Sequence, residues 1–293
     1  MKAAIHLSVL AAALAVLSPS LVAQWPELRD PAAPRKADGT INLDAPPPRT
    51  ADGKPDFSGV WRGVAAPAAG RGRGNQPPAP PPPPPPGPPV AGFRDAAQNV
   101  AGGAPMTPWA QDLLKRRVAR NSLDNPEAHC LPFGLVQFHT QGFPRKYVQT
   151  PKLLVILYET HSGIRQVFLD GRALPKLGEP EPWYYGYSSG RWEGDTLVVE
   201  SNNFVEDGWL DIIGTPFTDQ GKLTERFRRV SYGRMEIDIT IEDPKAYTKP
   251  WTVRHNQELM PDTELIEFIC LENQRFGTEP GLGPALNRPS ISK

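Results

Sequence analysis

The 293-residue chain is poor in cysteine and histidine, and this scarcity excludes several kinds of site. It contains two cysteines and five histidines. Neither cysteine has a second cysteine at CxxC spacing, and no two histidines show ligand spacing such as HxH or HExxH. No nucleotide-binding motif is present either. The sequence therefore predicts no metal site and no cofactor.

An excess of charge of either sign is also lacking. The chain has 32 basic and 32 acidic side chains, and loss of an N-terminal leader that contains Lys2 would leave 31 against 32, a formal charge of −1. Such a balance offers no electrostatic basis for binding nucleic acid or an anionic membrane surface.

Long apolar runs are absent after the first residues. Residues 1–23 comprise Met1-Lys2, an apolar run over Ala3–Leu17 and a cleavage-site-like end at Ala23, which together are typical of a signal peptide. No later segment is apolar enough to span a bilayer, so we expect an exported protein, periplasmic or secreted, without stable membrane insertion.

Export bears on the two cysteines, because disulfides form in oxidising compartments. We expect a bridge between Cys130 and Cys270, which would close a loop of roughly 140 residues and add about 4 to 5 kcal/mol in the chain-entropy model. The alternative is two buried thiols that never meet.

Proline, in contrast, is abundant, with 36 residues. The run 77–89 contains only Ala79 and Gly87 besides proline and should extend as polyproline II. A spacer or solvated insertion is the favoured interpretation, and an arm that recruits a protein partner is the alternative. Residues 24–107 are therefore predicted to be mostly irregular, apart from a first strand near 57–62.

The remaining boundaries follow from composition and periodicity. Residues 108–144 are predicted to hold a short helix over Pro108–Arg120 and a connecting segment. Residues 145–276 show short alternating strands separated by turn signals, and residues 277–293 form a flexible tail. The pattern predicts an all-β fold, an antiparallel up-and-down barrel, with a two-sheet β-sandwich as the alternative.

Four hairpins are predicted within this region. In the best determined one, around Ser231-Tyr232-Gly233, charge pairs and apolar pairs agree on one register. This register sets Arg228 opposite Glu236, Phe227 opposite Ile237 and Val230 opposite Arg234. The other hairpins set Glu159 opposite Arg165 across His161-Ser162-Gly163, Trp192 beside Leu197 across Gly194-Asp195, and Trp251–Glu258 beside Thr263–Glu272 across Met260-Pro261-Asp262.

Glu225 interrupts the apolar face of the first hairpin, since it points the same way as Phe227. An ionised carboxylate cannot remain unpaired against a dry core, so we expect it to meet an inward cation, a hydrogen-bond donor or water. A structural ion pair is the first interpretation and a catalytic role the second. For the catalytic role, His139 is the candidate partner in acid–base chemistry.

Aromatic residues cluster at Pro182–Tyr187, just before a predicted strand. Such rings stack on flat ligands or sugars while their polar tips form hydrogen bonds. The alternative is that they fill the barrel core, and that the nearby Arg172 caps its own turn. The candidate ligand-binding residues are Tyr158, Tyr184, Tyr185, Tyr187, Trp192 and Arg172.

Several segments resemble a family of secreted proteins common in soil bacteria that has no assigned biochemical role. The segments are Asp52–Trp61, His129–Gly134, Gly190–Leu197, Asp243–Pro250 and Glu264–Glu267. This resemblance implies export and leaves function open. A looser similarity is to lipocalin-type barrels: Gly59-Val60-Trp61 and Gly190-Arg191-Trp192 match their Gly-x-Trp element, and Arg275 would be the arginine that packs on that Trp.

We therefore expect an exported barrel that binds a small, partly aromatic or sugar-like molecule in its lumen or at its mouth. One alternative is a barrel lyase, isomerase or hydrolase in which Glu225 and His139 share acid and base work. Another is an envelope scaffold that meets a second protein.

Overall fold

The computed structural model describes residues 28–64 and 86–270. The predicted leader, most of the proline run and the predicted tail lie outside these residues. The strands are β1 Gly59–Val64, β2 Arg145–Gln149, β3 Leu153–Tyr158, β4 Gly163–Phe168, β5 Tyr187–Glu193, β6 Thr196–Asn202, β7 Gly208–Trp209, β8 Pro216–Phe217, β9 Lys222–Ser231, β10 Arg234–Glu242 and β11 Trp251–Leu259. The α-helices are α1 Pro108–Ala119 and α2 Leu135–Thr140, and short 3-10 turns span Pro126–His129 and Thr160–Ser162.

In the described part of the chain, nine of these strands form a closed barrel in the order β1-β11-β10-β9-β6-β5-β4-β3-β2. The predicted all-β barrel is confirmed, and closure decides against the sandwich. The strands β7 and β8 form a separate two-stranded sheet. Within the same residues, no helix is long and apolar enough to cross a bilayer.

The expectation that every strand pair is antiparallel was wrong at one seam. The strands β4 and β5 are parallel, and their register joins only Val167 to Ser188 and Phe168 to Ser189. A tight hairpin forces antiparallel pairing, whereas the long return over 169–186 lets β5 start at the same end of the barrel as β4. The first residues of β4 therefore have β3 on one side and no registered partner on the other.

The register of the β9–β10 hairpin is confirmed over most of its length. Arg228 pairs with Glu236 and Phe227 with Ile237, as cross-strand matching predicted. Near the turn the prediction was wrong, because Arg234 pairs with Ser231 and an irregularity precedes the next pair, so that Val230 does not face Arg234. The β5–β6 pairing of Trp192 with Leu197 is confirmed.

The predicted β3–β4 register was wrong, with a consequence for the interior. Tyr158 pairs with Gly163 and Ile156 with Arg165, so Glu159 does not face Arg165. The connecting turn places His161 and Ser162 at φ of 59° and 47°, left-handed conformations that are uncommon for residues other than glycine. Because an odd slip exchanges the two faces of a strand, Arg165 points into the barrel together with Ile156.

The fourth predicted hairpin was also wrong. Strand β11 pairs with β10 and with β1, which closes the barrel, and residues 263–270 form no strand. These residues instead cross the outside of β2, where Lys146 Nζ donates to Glu264 at 2.6 and 2.8 Å.

The end of this segment is fixed covalently. Cys130 and Cys270 form a disulfide with a Cα–Cα distance of 5.6 Å, which confirms the predicted bridge. It joins the segment before α2 to the segment that follows β11.

Both ends of the barrel are covered by other parts of the chain. At one end, Phe57 from the N-terminal segment stacks on Trp192 with ring centroids 5.6 Å apart, and the Arg229 guanidinium lies 4.9 Å from the centroid of Trp61. The expected partner of this Trp, Arg275, lies outside the described residues. At the other end sits α2, all six of whose residues are buried.

Candidate functional site

Glu225 lies inside the barrel with no exposed surface and contacts two basic side chains. Its Oε1 accepts hydrogen bonds from His139 Nε2 at 2.9 Å and from Arg165 Nη1 at 3.1 Å. Its Oε2 accepts a further bond from Arg165 Nη2. The expectation that Glu225 meets an inward cation and a donor is therefore met, and Glu225 and His139 are brought together.

Strand alternation explains how these groups meet. In β9 the residues Leu223, Glu225 and Phe227 all face inward, and in β4 Arg165 does so. Helix α2 brings His139 against the same carboxylate, and its approach requires Gly63 on β1, where a Cβ would overlap the His139 and Gln141 carbonyl oxygens.

Further hydrogen bonds fix the orientation of both basic groups. The Arg165 guanidinium also donates to Ser188 Oγ at 3.2 Å and to Ser201 Oγ at 3.0 Å. Gln257 Nε2 donates to His139 Nδ1 at 3.0 Å, so the His139 proton resides on Nε2 and points at Glu225. The Tyr147 hydroxyl in turn donates to Gln257 Oε1 at 3.1 Å.

These contacts set the protonation of the pair. Burial by itself would raise the pKa of Glu225, but the Arg165 charge and the His139 hydrogen bond outweigh it and lower this pKa to about 2. Burial lowers the pKa of His139 although Glu225 opposes the shift. At neutral pH the carboxylate is thus ionised and the imidazole neutral, so Glu225 forms an ion pair with Arg165 and accepts a neutral hydrogen bond from His139.

A second buried guanidinium, Arg145, belongs to the same interior. Its Nη2 donates to the carbonyl oxygens of Gln141 and Phe143 at 2.7 and 2.9 Å, while Nε and Nη1 have no partner among the described residues. Burial lowers the pKa of Arg145. The described part of this interior therefore holds two guanidinium groups against one carboxylate.

The aromatic cluster lines a cleft of about 380 Å³ at the start of β4, which we call the large cleft to distinguish it from a smaller cleft beside it. A more voluminous cleft, of about 720 Å³, is lined by Leu28, Arg229 and Asp262 among others. One wall is Ile164, Arg165 and Gln166 of β4, and the opposite wall is 182–186, with Pro132 at the edge. Three large apolar side chains around it are exposed: Ile164 by 61%, Trp183 by 42% and Tyr184 by 41%. Such grouped exposure is typical of a binding surface.

The cleft exists because the segment before β5 forms its hydrogen bonds with the residues that follow β6 and not with β4. Trp183 N donates to Asn203 O at 3.0 Å, and Val205 N donates to Trp183 O at 3.2 Å. Tyr185 turns back over Gly163, where a Cβ would overlap its hydroxyl group. That hydroxyl is buried and has no hydrogen-bond partner among the described residues.

The other predicted ligand-binding residues lie at different distances from this cleft. Tyr158 is buried behind it, stacked on Phe138 with centroids 4.0 Å apart. Tyr187 accepts a hydrogen bond from Arg172 Nη1 at 3.2 Å. Arg172 also forms an ion pair with Asp170 in its own turn, which fits the alternative interpretation of Arg172 as a residue that caps this turn. Trp192 packs at the opposite end of the barrel.

A smaller cleft of about 180 Å³, the small cleft, adjoins the large one, since Pro132 and Tyr184 line both. Sequence reasoning missed this feature and also the inward Arg165. The only signal for Arg165 was the unmet need of Glu225 for a cation. The small cleft had no signal, because its walls come from segments far apart in the chain.

Comparison of the chain with protein-family models, with curated proteins and with solved structures found no match in any of the three. Fold and site together define an all-β barrel protein with a His–Glu–Arg cluster in its interior and an aromatic cleft beside β4. Over residues 28–64 and 86–270, no three His, Cys, Asp or Glu side chains are grouped so as to hold a metal ion.

Proposed function

We propose that this chain is an exported β-barrel protein that binds a small, partly aromatic or sugar-like molecule in the large cleft. The observation that carries the proposal is the grouping of exposed Ile164, Trp183 and Tyr184 around a cleft of about 380 Å³. This volume lies within the range of small-molecule sites. Aromatic faces bind flat or sugar rings, and the exposed Gln166 beside them offers hydrogen bonds that orient the ring.

The cleft is favoured over the lumen as the ligand's position. The lumen is occupied by buried side chains, among them His139, Tyr147 and Glu225. Neither Glu225 nor His139 lines the large or the small cleft. A ligand in the large cleft would lie at the helix-covered mouth of the barrel.

Export is supported by the disulfide, which is compatible with an extracellular or periplasmic location because reducing compartments keep thiols free. The leader-like residues 1–23 and the resemblance to secreted soil-bacterial proteins point the same way.

The test is a binding screen of the mature chain against simple phenols and monosaccharides, with dissociation constants measured by titration calorimetry. Trp183→Ala and Tyr184→Ala should each weaken binding about tenfold, equivalent to about 1.4 kcal/mol, because each removes an aromatic face. Phe93→Ala is the matched control, since Phe93 is a comparably exposed aromatic side chain, at 44%, that lines neither cleft. Unchanged affinity in both cleft variants would contradict the proposal. Failure of every compound to bind would also contradict it, and would favour the alternative of an envelope scaffold that meets a second protein.

A second candidate function, acid–base catalysis, has one observation in its favour. Arg165 lines the large cleft and also binds Glu225, which pairs with His139, so the cleft and the titratable pair share a residue. It ranks lower because a carboxylate with a pKa of about 2 is a weak general base at neutral pH. Chemical conversion of a bound compound by the wild type, lost in Glu225→Gln with binding retained, would place catalysis first.

A further inference from the structure

The first residues of β4 present an open strand edge inside the large cleft. The pairing of β4 with β5 begins only at Val167, which lies opposite Ser188. Ile164 and Gln166 both line the cleft, and they have β3 on one side and no registered strand on the other. Proteins usually cover such edges, because the unpaired N–H and C=O groups attract another extended chain. The large cleft is therefore bounded by a strand edge as well as by side chains.

The backbone polar groups of this edge point into the cleft. In the continued register of β3 and β4, Leu169 lies opposite Lys152, and its N–H donates to the Lys152 carbonyl oxygen at 2.9 Å. Hydrogen-bonded and non-hydrogen-bonded pairs alternate along an antiparallel ladder, so Ile164 and Gln166 direct their backbone groups away from β3. In the part of the chain that the structure describes, no loop backbone bonds to the Ile164 N–H or C=O. These two groups are thus available to an added strand.

The side chains around the edge favour an uncharged, apolar partner. Arg165 is the one charged side chain among the described residues that line the cleft, and it already forms an ion pair with Glu225. Strand alternation turns Arg165 inward and leaves Ile164 on the outer face with 61% of its surface exposed. A side chain opposite Ile164 on an added strand would cover it, beside the exposed Trp183 and Tyr184.

Resting on the proposed function, we infer that the ligand of the large cleft is a short, uncharged peptide in an extended conformation. It adds a strand to the open edge of β4 and packs its apolar side chains on Ile164, Trp183 and Tyr184. At about 3.3 Å per residue, Gly163–Gln166 present an edge of about 13 Å, which matches a peptide of about four residues. Main-chain hydrogen bonds supply the affinity, and the aromatic wall supplies the preference for particular side chains.

The test uses the peptide acetyl-Val-Thr-Tyr-Thr-amide, which is uncharged and carries its apolar side chains on one face of a strand. We expect it to bind the mature chain in titration calorimetry. In NMR hydrogen-exchange measurements it should slow exchange of the Ile164 and Gln166 amides at least about tenfold. The matched control is the same peptide with every backbone nitrogen methylated, which keeps the side chains. It should bind at least about tenfold more weakly, because its donors to β4 are lost.

Two substitutions at one position separate the backbone contribution from the side-chain contribution. Ile164→Pro removes the N–H that faces the cleft, and an edge position without a ladder bond tolerates proline. Ile164→Ala keeps the N–H and removes most of the apolar side chain. The proline variant should bind the peptide at least about fivefold more weakly than the alanine variant. Thermal unfolding checks that both variants fold, and if Ile164→Pro does not, the hydrogen-exchange measurement on the wild type decides.

The outcomes distinguish this inference from the proposed function. Binding of phenols or monosaccharides that depends on Trp183, without any binding of the peptide, would overturn the inference and leave the proposed function intact. Equal affinities of the two peptides, or unchanged exchange of the Ile164 and Gln166 amides, would also overturn it, since side chains alone would then hold the peptide. A dimer in sedimentation that protects these amides without peptide would overturn it by assigning the edge to a second copy of the chain. Failure of the peptide, phenols and sugars alike would contradict the proposed function as well.

Discussion

Replacement of Glu225 by glutamine would remove the carboxylate from the barrel interior and keep the side-chain size. The Arg165 guanidinium would then be buried with only the Ser188 and Ser201 hydroxyls and a neutral amide. Loss of one partner of a buried ion pair costs about 3–5 kcal/mol. We expect the upper part of this range, because Arg145 shares the interior and the variant would hold two guanidinium groups there without a carboxylate.

The free energy of unfolding is measured by urea titration at pH 7, followed by tryptophan fluorescence. Glu236→Gln on β10 is the matched control: its partners Arg228 and Arg254 both keep Asp238 as an ion-pair partner, so the loss should stay below about 1 kcal/mol. The double variant Glu225→Leu with Arg165→Met should recover most of the stability, because an apolar pair of similar volume replaces the ion pair. A loss below about 1 kcal/mol in Glu225→Gln would refute this account of the interior.

Two further predictions concern pH and packing. Burial holds the pKa of His255 well below 6.5. As the pH falls below about 6.5, the unfolded chain therefore takes up a proton before the folded protein does, and the free energy of unfolding should fall. Urea titrations at pH 7.5 and 5 should show a smaller fall in His255→Gln than in the wild type, and equal falls would contradict a buried, neutral His255. Gly134→Ala should lower the free energy of unfolding by about 3 kcal/mol, and the melting temperature with it, because the added Cβ would overlap the Trp209 carbonyl oxygen. Gly142→Ala, where a Cβ meets nothing within 4 Å, should be neutral in the same calorimetric measurement.

The parts of the fold that the sequence predicts well are those where independent signals agree. The β9–β10 hairpin carries charge pairs on one face and apolar pairs on the other, and only one register satisfies both. The same alternation identifies Glu225 as an inward carboxylate in need of a partner. One of the three residues of the interior cluster is thus predictable from a single hairpin.

The rest depends on geometry that residue types do not encode. The left-handed turn at His161 and Ser162 shifts β4 and carries Arg165 inside. The parallel seam between β4 and β5 follows from how the chain returns over 169–186, and that return has no periodicity to read. The two clefts join Pro132, Tyr184 and the residues around Phe204, which become neighbours only through tertiary packing.

The closing strand has a consequence for the order of folding. Strand β1 pairs with β2 on one side and with β11 on the other, so a growing chain contains β1 long before Leu259 exists to pair with it. Topologies with such distant pairings fold slowly, and until closure β1 and β11 remain open edges that invite pairing with other chains. Because Cys270 lies only eleven residues after the end of β11 at Leu259, the disulfide and the last strand pairing become available at nearly the same stage. An oxidant that acts on the nascent chain before that stage finds Cys130 without its partner.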